Sequence, residues 1–445
     1  MNNLGLFFGT DGIRGKVNED LTYDIAFKIG NALSMLKVNP KIIIGCDTRT
    51  SNSYLTLALS SGAMTGGGKV IDIGVCPTAG IAYITKILQA DYGVVISASH
   101  NSGEYNGIKI FNSLGYKLGE KEEEKIERCF IREKVNSCFD IGRYKQDFSL
   151  VKKYKDFLIN SAPTNLNGLT IVLDGAYGAS YKIAPEVFKK LNAKVIACSC
   201  KNKGEKINDN CGALFPENLK DKVLKYKADI GFAFDGDSDR VIALDENANV
   251  IDGDQIMCGI AKYLNDMKKL NHSTVVGTSH TNMGIENQLK VFGINLIRTD
   301  IGDKYVLHKL IEQNLSLGGE QSGHIILKDL ATTGDGILSA LFACSMLKLK
   351  GKKTSQIFNA KLYPQINKNI LVKDKFRIMN SEHLLKEISK YNDFLSGKGR
   401  LMIRASGTEP KIRIMVESTD KIVNEKIAKS ICNTIENLNK NDEFM

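Results

Sequence analysis

A short polar stretch, Ser97-Ala98-Ser99-His100-Asn101, directly follows the apolar residues 94–96. The apolar run is typical of a buried strand, so the polar stretch begins where that strand ends. Two hydroxyl side chains followed by an imidazole and an amide are the residue types of a nucleophile with proton-transfer groups beside it. Taken alone, the stretch is better explained as a polar turn leading to a second strand at about 108–111. The residues of the other polar loops provide the evidence that distinguishes these two interpretations.

Three carboxylates, Asp235, Asp237 and Asp239, alternate with small residues after a predicted strand at 229–234. In an extended loop, alternate side chains project to one side, so the three groups are expected to converge. Such a set repels itself unless a hard cation lies among its oxygens, and oxygen ligands suit Mg²⁺ or Ca²⁺. An EF-hand is excluded because Arg240 occupies the glycine position and strands replace the flanking helices. An acidic surface turn remains as the alternative.

A third loop combines cations, hydroxyls and glycine. Arg404, Ser406, Gly407 and Thr408 lie between two predicted strands at 401–403 and 412–416, and Arg413 follows closely. This set suits a phosphate dianion, because guanidinium groups and exposed backbone amides are strong anion donors. A hairpin with no ligand is the alternative.

Two further stretches carry residues of similar character. The glycine-rich residues 9–15 contain Arg14, a second candidate for binding phosphate or the charge of a transition state. Glu320, Ser322 and His324 lie in a glycine-rich loop before a predicted strand at 325–327 and offer hydroxyl-binding groups with a proton carrier. A sugar, which presents several hydroxyls in fixed geometry, is the natural ligand for this second set.

Strands and helices alternate along most of the chain, which predicts mainly parallel sheets covered by helices. Three successive α/β units, each closing on a glycine-rich polar loop between short strands, are predicted at residues 1–155, 156–252 and 253–364. They contain, in order, the polar stretch at 97–101, the carboxylate loop at 235–239 and the loop around Glu320. A smaller α+β domain with the phosphate-type loop is predicted at 365–445.

Length and composition are those of a multidomain globular protein. The chain has 445 residues, a net charge of +10 and no apolar run long enough to span a membrane. Ten scattered cysteines and the lack of a signal-peptide pattern predict reduced thiols and a cytoplasmic location. Cys198, Cys200 and Cys211 come nearest to a metal-binding cluster. Basic residues are interleaved with acids and tryptophan is absent, so anionic small molecules are favoured over nucleic acid as partners.

The ordered set of four motifs resembles the α-D-phosphohexomutase superfamily over essentially the whole chain. These motifs begin at Ser97, Asp235, Gly319 and Arg404. The form of residues 8–15, the Gly-Gly-Glu-Gln-Ser-Gly-His sequence of residues 318–324 and the chain length resemble its phosphoglucosamine mutase branch. Each motif alone is weakly specific, whereas the ordered set is highly specific.

The resemblance implies roles for individual residues. Ser99 matches the catalytic serine that is phosphorylated, and its phosphoryl oxygen would join the carboxylates of Asp235, Asp237 and Asp239 around Mg²⁺. The residues that match polar groups near the transferring phosphoryl or in acid-base work are Arg14, His100, Lys109 and His324. Those that match sugar contacts are Glu320 and Ser322. Those that match the phosphate-binding loop are Arg404, Ser406, Gly407, Thr408 and Arg413.

The resemblance also implies a fold and an activity. The fold is three related α/β domains with mixed sheets and a smaller C-terminal domain around a central cleft. The activity is interconversion of glucosamine 6-phosphate and glucosamine 1-phosphate through a 1,6-bisphosphate, with a hexosamine or glucose 1,6-bisphosphate as primer. The same chemistry on glucose or mannose phosphates is the closest alternative, and a non-catalytic sugar-phosphate-binding protein is a more distant one. The resemblance leaves a homodimer open.

Overall fold

The computed structural model describes residues 8–9, 11–131, 135, 137–406 and 409–440. These residues form four β-sheets, three of them mixed and one antiparallel. The chain divides into two compact units. One contains the residues up to Thr281 together with Leu289–Asn359, and the other contains Asn282–Gln288 together with the residues from Ala360. The first three sheets lie in the first unit and the fourth lies in the second. The α/β class is therefore as predicted, while the four domain boundaries stay a prediction because these units are coarser.

The first sheet holds the polar stretch around Ser99. Its elements are β1 (Ile13–Lys16), α1 (Tyr23–Leu36), β2 (Lys41–Cys46), α2 (Asn52–Thr65), β3 (Lys69–Val75), α3 (Thr78–Ile87), β4 (Tyr92–Ile96), β5 (Tyr105–Asn112), α4 (Glu120–Ile131) and β6 (Arg143–Gln146). The strand order is β1-β5-β4-β2-β3-β6, and β5 runs antiparallel to both of its neighbours. Ile44 of β2 and Val94 of β4 are fully buried against Leu59 of α2. This burial on a helix-covered sheet explains the continuous apolar runs of these strands.

The second sheet holds the carboxylate loop. Its elements are α5 (Val151–Ser161), β7 (Thr170–Asp174), α6 (Ser180–Lys190), β8 (Lys194–Cys198), α7 (Lys220–Tyr226), β9 (Ile230–Phe234), β10 (Val241–Leu244) and β11 (Val250–Ile251). The order is β11-β10-β9-β7-β8, in which β7, β8 and β9 are parallel and β10 is antiparallel to β9.

The third sheet holds the loop around Glu320. Its elements are α8 (Gly253–Asp266), β12 (Thr274–Thr278), α9 (Met283–Val291), β13 (Asn295–Thr299), α10 (Asp303–Glu312), β14 (Leu317–Gly319), β15 (Ile325–Leu327), α11 (Gly336–Lys350) and α12 (Thr354–Ile357). The order is β13-β12-β14-β15, with β15 antiparallel to β14. The Asp252 side chain caps α8 in a capping box with Gln255, and Asp335 caps α11. Both caps satisfy amides that a helix leaves unpaired at its first turn.

The three mixed sheets share one topological feature. In each, one strand of the parallel set is followed along the chain by a strand that pairs with it antiparallel: β4 by β5, β9 by β10, and β14 by β15. The loops at residues 97–104, 235–240 and 320–324 make these reversals. The three chemistry-bearing loops therefore occupy equivalent positions, at the carboxyl end of a parallel strand. The repeat expected from the sequence pattern has this physical basis.

The fourth sheet is a separate antiparallel arrangement. Its elements are β16 (Gln365–Leu371), α13 (Lys375–Met379), α14 (Glu382–Leu395), β17 (Gly399–Ala405), β18 (Lys411–Ser418) and α15 (Lys421–Lys440). The order is β16-β18-β17. Ile412, Ile414 and Val416 of β18 are buried in one core with Ile431 of α15, so the period of two along the strand has a helix to cover it. None of the described helices is long and apolar enough to cross a membrane.

Candidate active site

The two serines of the polar stretch have different surroundings. The Ser97 hydroxyl donates to Oδ2 of Asp47 at 2.6 Å and accepts the backbone N–H of Ser99 at 2.9 Å. These two hydrogen bonds hold the Ser97 hydroxyl in place between Asp47 and the loop backbone. Ser97 therefore supports the backbone of Ser99.

Ser99 is buried, and its hydroxyl donates to Oδ2 of Asp235 at 2.6 Å. Nδ1 of His100 lies 3.3 Å from the same oxygen. The backbone φ of Ser99 is 52°, in the left-handed region that residues with a side chain rarely adopt. Such conformations persist only where the surrounding structure imposes them, and they cluster at functional sites.

Two side chains impose this conformation by binding the carbonyl oxygens of the loop. Arg49 donates from Nη2 to the carbonyls of Ser99 at 3.0 Å and Asn101 at 2.7 Å, and from Nη1 to those of Ser102 and Tyr105. Asn208, from the second sheet's part of the chain, donates from Nδ2 to the carbonyls of Ser99 at 2.8 Å and Asn101 at 2.9 Å. Arg49 is itself buried and held by Asp47 through Nε at 2.9 Å.

The three aspartates of the second loop converge as expected, but for another reason. The loop is a turn, in which Ser238 has φ 61° and donates its N–H to the Asp235 carbonyl at 3.1 Å. The prediction of an extended loop was therefore wrong. Gly236 is required within this turn, because a Cβ there would lie 2.4 Å from the Ser99 carbonyl oxygen. The turn brings the carboxylates against the serine loop.

The aspartate set fits a metal ion. Potential ligand atoms of Asp235, Asp237 and Asp239 lie within 4.8 Å of one another, and all three side chains are buried. Oδ1 of Asp237 and Oδ1 of Asp239 are buried without a hydrogen-bond partner. Buried carboxylate oxygens lacking donors are costly unless a cation satisfies them, and a set of oxygens alone selects a hard ion.

The described residues contain no other group of this kind among His, Cys, Asp and Glu side chains. Cys198, Cys200 and Cys211 thus do not form a metal-binding cluster. Burial raises the pKa of Cys200 and of Cys211 to about 12, so both thiols stay protonated at neutral pH.

The protonation of the aspartates is uneven. Burial, followed by Asp239 and Asp237, raises the pKa of Asp235 well above its usual value. Burial acts in the same direction on Asp239, but Lys109 and then His324 outweigh it, so the pKa of Asp239 is well below its usual value. Without a bound cation, one carboxyl of the group favours the protonated form because like charges repel at this separation.

Lys109 is the main counter-charge, and its side chain is only 1% exposed. Its Nζ lies 2.8 Å from Oδ2 of Asp237, 3.2 Å from Oδ2 of Asp239 and 3.0 Å from Oδ2 of Asp11. Burial works to lower the pKa of Lys109, but the three aspartates raise it well above its usual value. Arg14 contacts Asp11 through Nη2 and donates from Nη1 to the Asn101 side chain at 3.3 Å.

The two histidines near the site differ. Burial, then Arg240 and Arg14, lowers the pKa of His100 to about 4, so this imidazole is neutral at physiological pH. For His324, Asp239 and Asp303 overcome burial and raise the pKa. However, the Gly334 N–H donates to its Nε2 at 3.1 Å and occupies the lone pair that a second proton needs. This hydrogen bond favours the neutral ring, with its proton on Nδ1 facing Asp239.

In the third loop, Glu320 and His324 point toward other groups of the site, whereas Ser322 is exposed to solvent. Oε1 of Glu320 accepts the Gly302 N–H at 3.1 Å, and burial raises its pKa. His324 is buried, with Nδ1 3.6 Å from Oδ2 of Asp239. Ser322 is exposed at the tip of the turn. Arg240, with Nε 3.9 Å from Oδ1 of Asp239, lies beside His324 through an isolated backbone bridge.

The candidate phosphate loop belongs to the second compact unit. Arg404 and Arg413 are directly opposite each other on β17 and β18. Like charges on opposed residues are unfavourable in a sheet, so an anion between them is a natural ligand. The Ser406 N–H donates to the Lys411 carbonyl at 2.8 Å, and Arg413 Nη2 donates to Glu409 at 3.1 Å. Gly407 and Thr408 lie outside the described residues.

Several residues of the site were not identified from the sequence: Asp11, Asp47, Arg49, Lys117, Asn208 and Arg240. A signal existed for some of them. Asp11 lies in the same glycine-rich stretch as Arg14, and Asp47 and Arg49 follow the end of a buried strand, as Ser99 does. No pattern pointed to Asn208, which lies in an irregular segment far along the chain.

Four family models match the chain in order, and together they cover most of it. They are described as the alpha/beta/alpha domains I, II and III and the C-terminal domain of phosphoglucomutase/phosphomannomutase. They match residues 5–137, 150–249, 252–364 and 368–434.

Individual proteins are similar over nearly the full length. A curated phosphoglucosamine mutase of Caldanaerobacter subterraneus subsp. tengcongensis is 46% identical over 443 residues, covering 97% of this chain and 99% of the relative. A solved phosphoglucomutase/phosphomannomutase family protein from Burkholderia thailandensis aligns with a TM-score of 0.82 at 22% identity, over 98% of both chains. Aspergillus fumigatus N-acetylphosphoglucosamine mutase, solved with GlcNAc-6P and magnesium, aligns with a TM-score of 0.66 at 16% identity, over 98% of this chain and 96% of that one.

Proposed function

The chain belongs to the phosphoglucosamine mutase family of the α-D-phosphohexomutase superfamily. On that premise we propose that it interconverts glucosamine 6-phosphate and glucosamine 1-phosphate through a phosphorylated Ser99. The observation that carries the residue assignment is the contact of 2.6 Å between the Ser99 hydroxyl and Asp235. That contact joins the nucleophile to a buried group of three carboxylates.

The reaction consists of two phosphoryl transfers. Phosphorylated Ser99 gives its phosphoryl to the free hydroxyl of the bound sugar monophosphate. The bond between phosphorus and Ser99 Oγ breaks, and a bond between phosphorus and the sugar oxygen forms. The product is the 1,6-bisphosphate, which turns over and returns its other phosphoryl to Ser99. Such transfers require mainly alignment and neutralisation of charge.

The cations around the serine supply part of that neutralisation. Lys109 is buried and held by three aspartates, so its position and charge are fixed before substrate arrives. Arg14 is the second cation, anchored by Asp11 and Asn101. Donors fixed in advance stabilise developing charge without the cost of reorganisation.

A proton must leave the attacking hydroxyl in each transfer, which is the sugar hydroxyl in the first and the Ser99 hydroxyl in the second. In the second transfer the departing sugar oxygen takes up a proton. Both ring nitrogens of His324 face other groups, Gly334 and Asp239. His100 is neutral, and its Nδ1 lies 3.3 Å from the Ser99 oxygen. We therefore assign proton acceptance to His100, and to His324 the orientation of Asp239. In a loose transition state the attacking oxygen has formed little bond to phosphorus and keeps most of its proton. A weak base, such as an imidazole of low pKa, is therefore sufficient.

Asp235, Asp237 and Asp239 would hold Mg²⁺, which the Aspergillus neighbour contains by its description. When bound, the ion supplies neutralisation of phosphoryl charge. Asp237 and Asp239 also hold the Lys109 ammonium, at 2.8 and 3.2 Å, so these two carboxylates position a cation of the chain itself beside Ser99.

The remaining assignments concern the sugar and its second phosphate. Glu320 and Ser322 are proposed to contact sugar hydroxyls. The cross-strand pair Arg404 and Arg413, with Ser406, Gly407 and Thr408, is proposed to hold the phosphate that does not react. A hexosamine or glucose 1,6-bisphosphate would prime an unphosphorylated Ser99. A homodimer, a cytoplasmic location and a lack of nucleic-acid binding stay predictions.

A coupled assay tests the proposal with glucosamine 6-phosphate, glucose 6-phosphate and mannose 6-phosphate side by side, with Mg²⁺ and a 1,6-bisphosphate added. We expect glucosamine 6-phosphate to have the largest kcat/KM and Ser99→Ala to abolish turnover of all three. A clear preference for glucose or mannose phosphate would overturn the substrate assignment. An active Ser99→Ala protein would overturn the mechanism.

A further inference from the structure

Lys117 links the first and third sheets beside the aspartate group, and its side chain is only 14% exposed. Its Nζ contacts Oδ1 of Asp11, from the first sheet's part of the chain. The same nitrogen contacts Oδ2 of Asp303, the first residue of α10 in the third sheet's part. No sequence motif and none of the assigned roles accounts for this lysine.

The contacts continue on both sides of Lys117. Oδ2 of Asp11 lies 3.0 Å from Nζ of Lys109, which is 3.2 Å from Oδ2 of Asp239. On the other side, Oδ2 of Asp303 lies 3.6 Å from Nε2 of His324, whose Nδ1 is 3.6 Å from the same oxygen of Asp239. We call the ions Lys109, Asp11, Lys117 and Asp303, together with the neutral ring of His324 beside Asp303, the ion chain. Both of its ends meet at Asp239.

We infer that Lys117 is a positioning residue for phosphoryl transfer, acting through the ion chain on Lys109 and His324. This inference rests on the proposed function. Lys117 is the cation that separates Asp11 from Asp303, and these two carboxylates are only 19% and 12% exposed. Without it, two poorly solvated anions face each other, and at least one must turn away or take up a proton. A turn of Asp11 would shift its contact with Lys109, and a turn of Asp303 would shift the carboxylate that lies beside His324.

The simpler alternative is that Lys117 only stabilises the fold, through its contacts with the parts of the chain that carry the first and third sheets. The two roles differ in what they affect. A purely structural lysine contributes to the stability of the fold. Its loss lowers the amount of folded protein without changing the kcat of the protein that remains folded. A positioning residue changes kcat in protein that is fully folded, because a small displacement of groups around the reacting phosphoryl slows the transfer.

The surroundings of Lys117 permit a direct test. A cavity of about 600 Å³ borders Lys109, Lys117 and Asp303 and reaches the exposed Lys121. Lys117→Ala removes the atoms that n-propylammonium contains, and the cavity gives this small cation a route to the vacated position beside Asp303. We expect kcat to fall about 10- to 100-fold, as is typical when a partner of a reacting group is lost, with KM within about threefold. We expect n-propylammonium to restore kcat at least about tenfold.

Two controls show whether rescue depends on the positive charge of the amine, rather than on its size or on the ionic strength of the solution. Neither n-propanol nor an equal concentration of NaCl should restore the variant. Lys121→Ala, which removes a lysine from the rim of the same cavity, should have wild-type kcat and no response to the amine. A Lys117→Ala protein with kcat within about twofold of wild type would overturn the inference.

A second comparison keeps the inference testable if the cavity closes in Lys117→Ala. Lys117→Met and Asp303→Asn should each lower kcat, and the double variant should be no slower than Lys117→Met, because both changes break the same link. Multiplying losses, with no rescue by the amine, would overturn the inference. Thermal midpoints of the same set without substrate should show the same lack of additivity. The proposed function is tested separately, by comparing the activities of wild type and Ser99→Ala in the same assay.

Discussion

The Ser99 hydroxyl lies 2.6 Å from Oδ2 of Asp235, although the two residues are 136 positions apart in the chain. They come from loops that make the same reversal in two different sheets, after β4 and after β9. The fold therefore brings together a nucleophile and a carboxylate group by using the same strand reversal in two sheets. This relationship, and the contacts that maintain it, lead to four predictions.

The aspartate group should lose metal affinity when one carboxylate is neutralised. Oδ1 of Asp237 is buried without a partner, while its Oδ2 receives Thr78 at 2.6 Å and Lys109 at 2.8 Å. Asp237→Asn should therefore weaken Mn²⁺ or Mg²⁺ binding by about tenfold or more, because a hard ion loses a charged oxygen ligand. Calorimetric titration measures this in the absence of substrate. Asp266→Asn, an exposed acid, is the control, and unchanged affinity in Asp237→Asn would refute the metal site.

Arg49 should be required for turnover although it is assigned no contact with substrate. Its guanidinium binds four carbonyls of the serine loop, including that of Ser99 at 3.0 Å. Arg49→Met should release the loop from its left-handed turn and lower kcat by about 100-fold, since misplacement of a reacting group by about 1 Å has an effect of that size. Steady-state kinetics of folded protein test this, with the exposed Arg128→Met as the control. Equal kcat values for wild type and Arg49→Met would contradict the assigned role.

Gly236 should not tolerate a side chain. A Cβ at this position would lie 2.4 Å from the Ser99 carbonyl oxygen, so the serine and aspartate loops would have to separate. We expect Gly236→Ala to lower kcat at least about tenfold while the protein remains folded. Gly103→Ala is the matched control in the serine loop, because its Cβ would have no neighbour nearer than 3.4 Å. Similar kinetics for the two variants would show that the close approach is not needed.

Asp335 should make stability depend on pH. This residue caps α11 and accepts the Tyr154 hydroxyl at 2.9 Å, and burial raises its pKa from 3.8 to about 6. Below pH 4 the carboxyl is protonated in both folded and unfolded chains. Between about pH 4 and 6 the folded protein binds the proton more strongly, so the free energy of unfolding falls as pH rises through this window.

Asp335→Asn removes that dependence. Relative to wild type, the variant should gain up to about 3 kcal/mol between pH 4 and pH 7, from a shift of about two pKa units. Denaturant unfolding at several pH values measures the difference, and the exposed Asp329→Asn should show none. A difference between Asp335→Asn and wild type that is constant with pH would contradict the prediction.

Much of the fold was predictable because its strands are apolar and short. Strands such as Lys194–Cys198 and Ile325–Leu327 match the predictions at both ends. Helix α11 (Gly336–Lys350) was missed because it is apolar on nearly all sides and shows little helical periodicity, as expected for a buried helix. Strands β10 and β11 were also missed, and β11 is an edge strand of only two residues.

The site was predictable where one short motif carries several functional groups, as with Asp235, Asp237 and Asp239. It was not predictable where the function of a side chain depends on distant partners. Asn208 binds carbonyls more than a hundred positions away, and Lys117 joins two carboxylates from different sheets. Local sequence contains no record of such contacts. The turn at Ser238 was missed because its positive φ follows from the packing of two loops.

The most direct measurement is the site and fate of the transferred phosphoryl. The protein is incubated with a hexose 1,6-bisphosphate and Mg²⁺, then digested, and the phosphopeptide is sequenced by mass spectrometry before and after addition of glucosamine 6-phosphate. We predict one phosphoryl group on Ser99 that is lost to the sugar within the turnover time. A phosphoryl group on Ser97, or one on Ser99 that the sugar does not remove, would contradict the account.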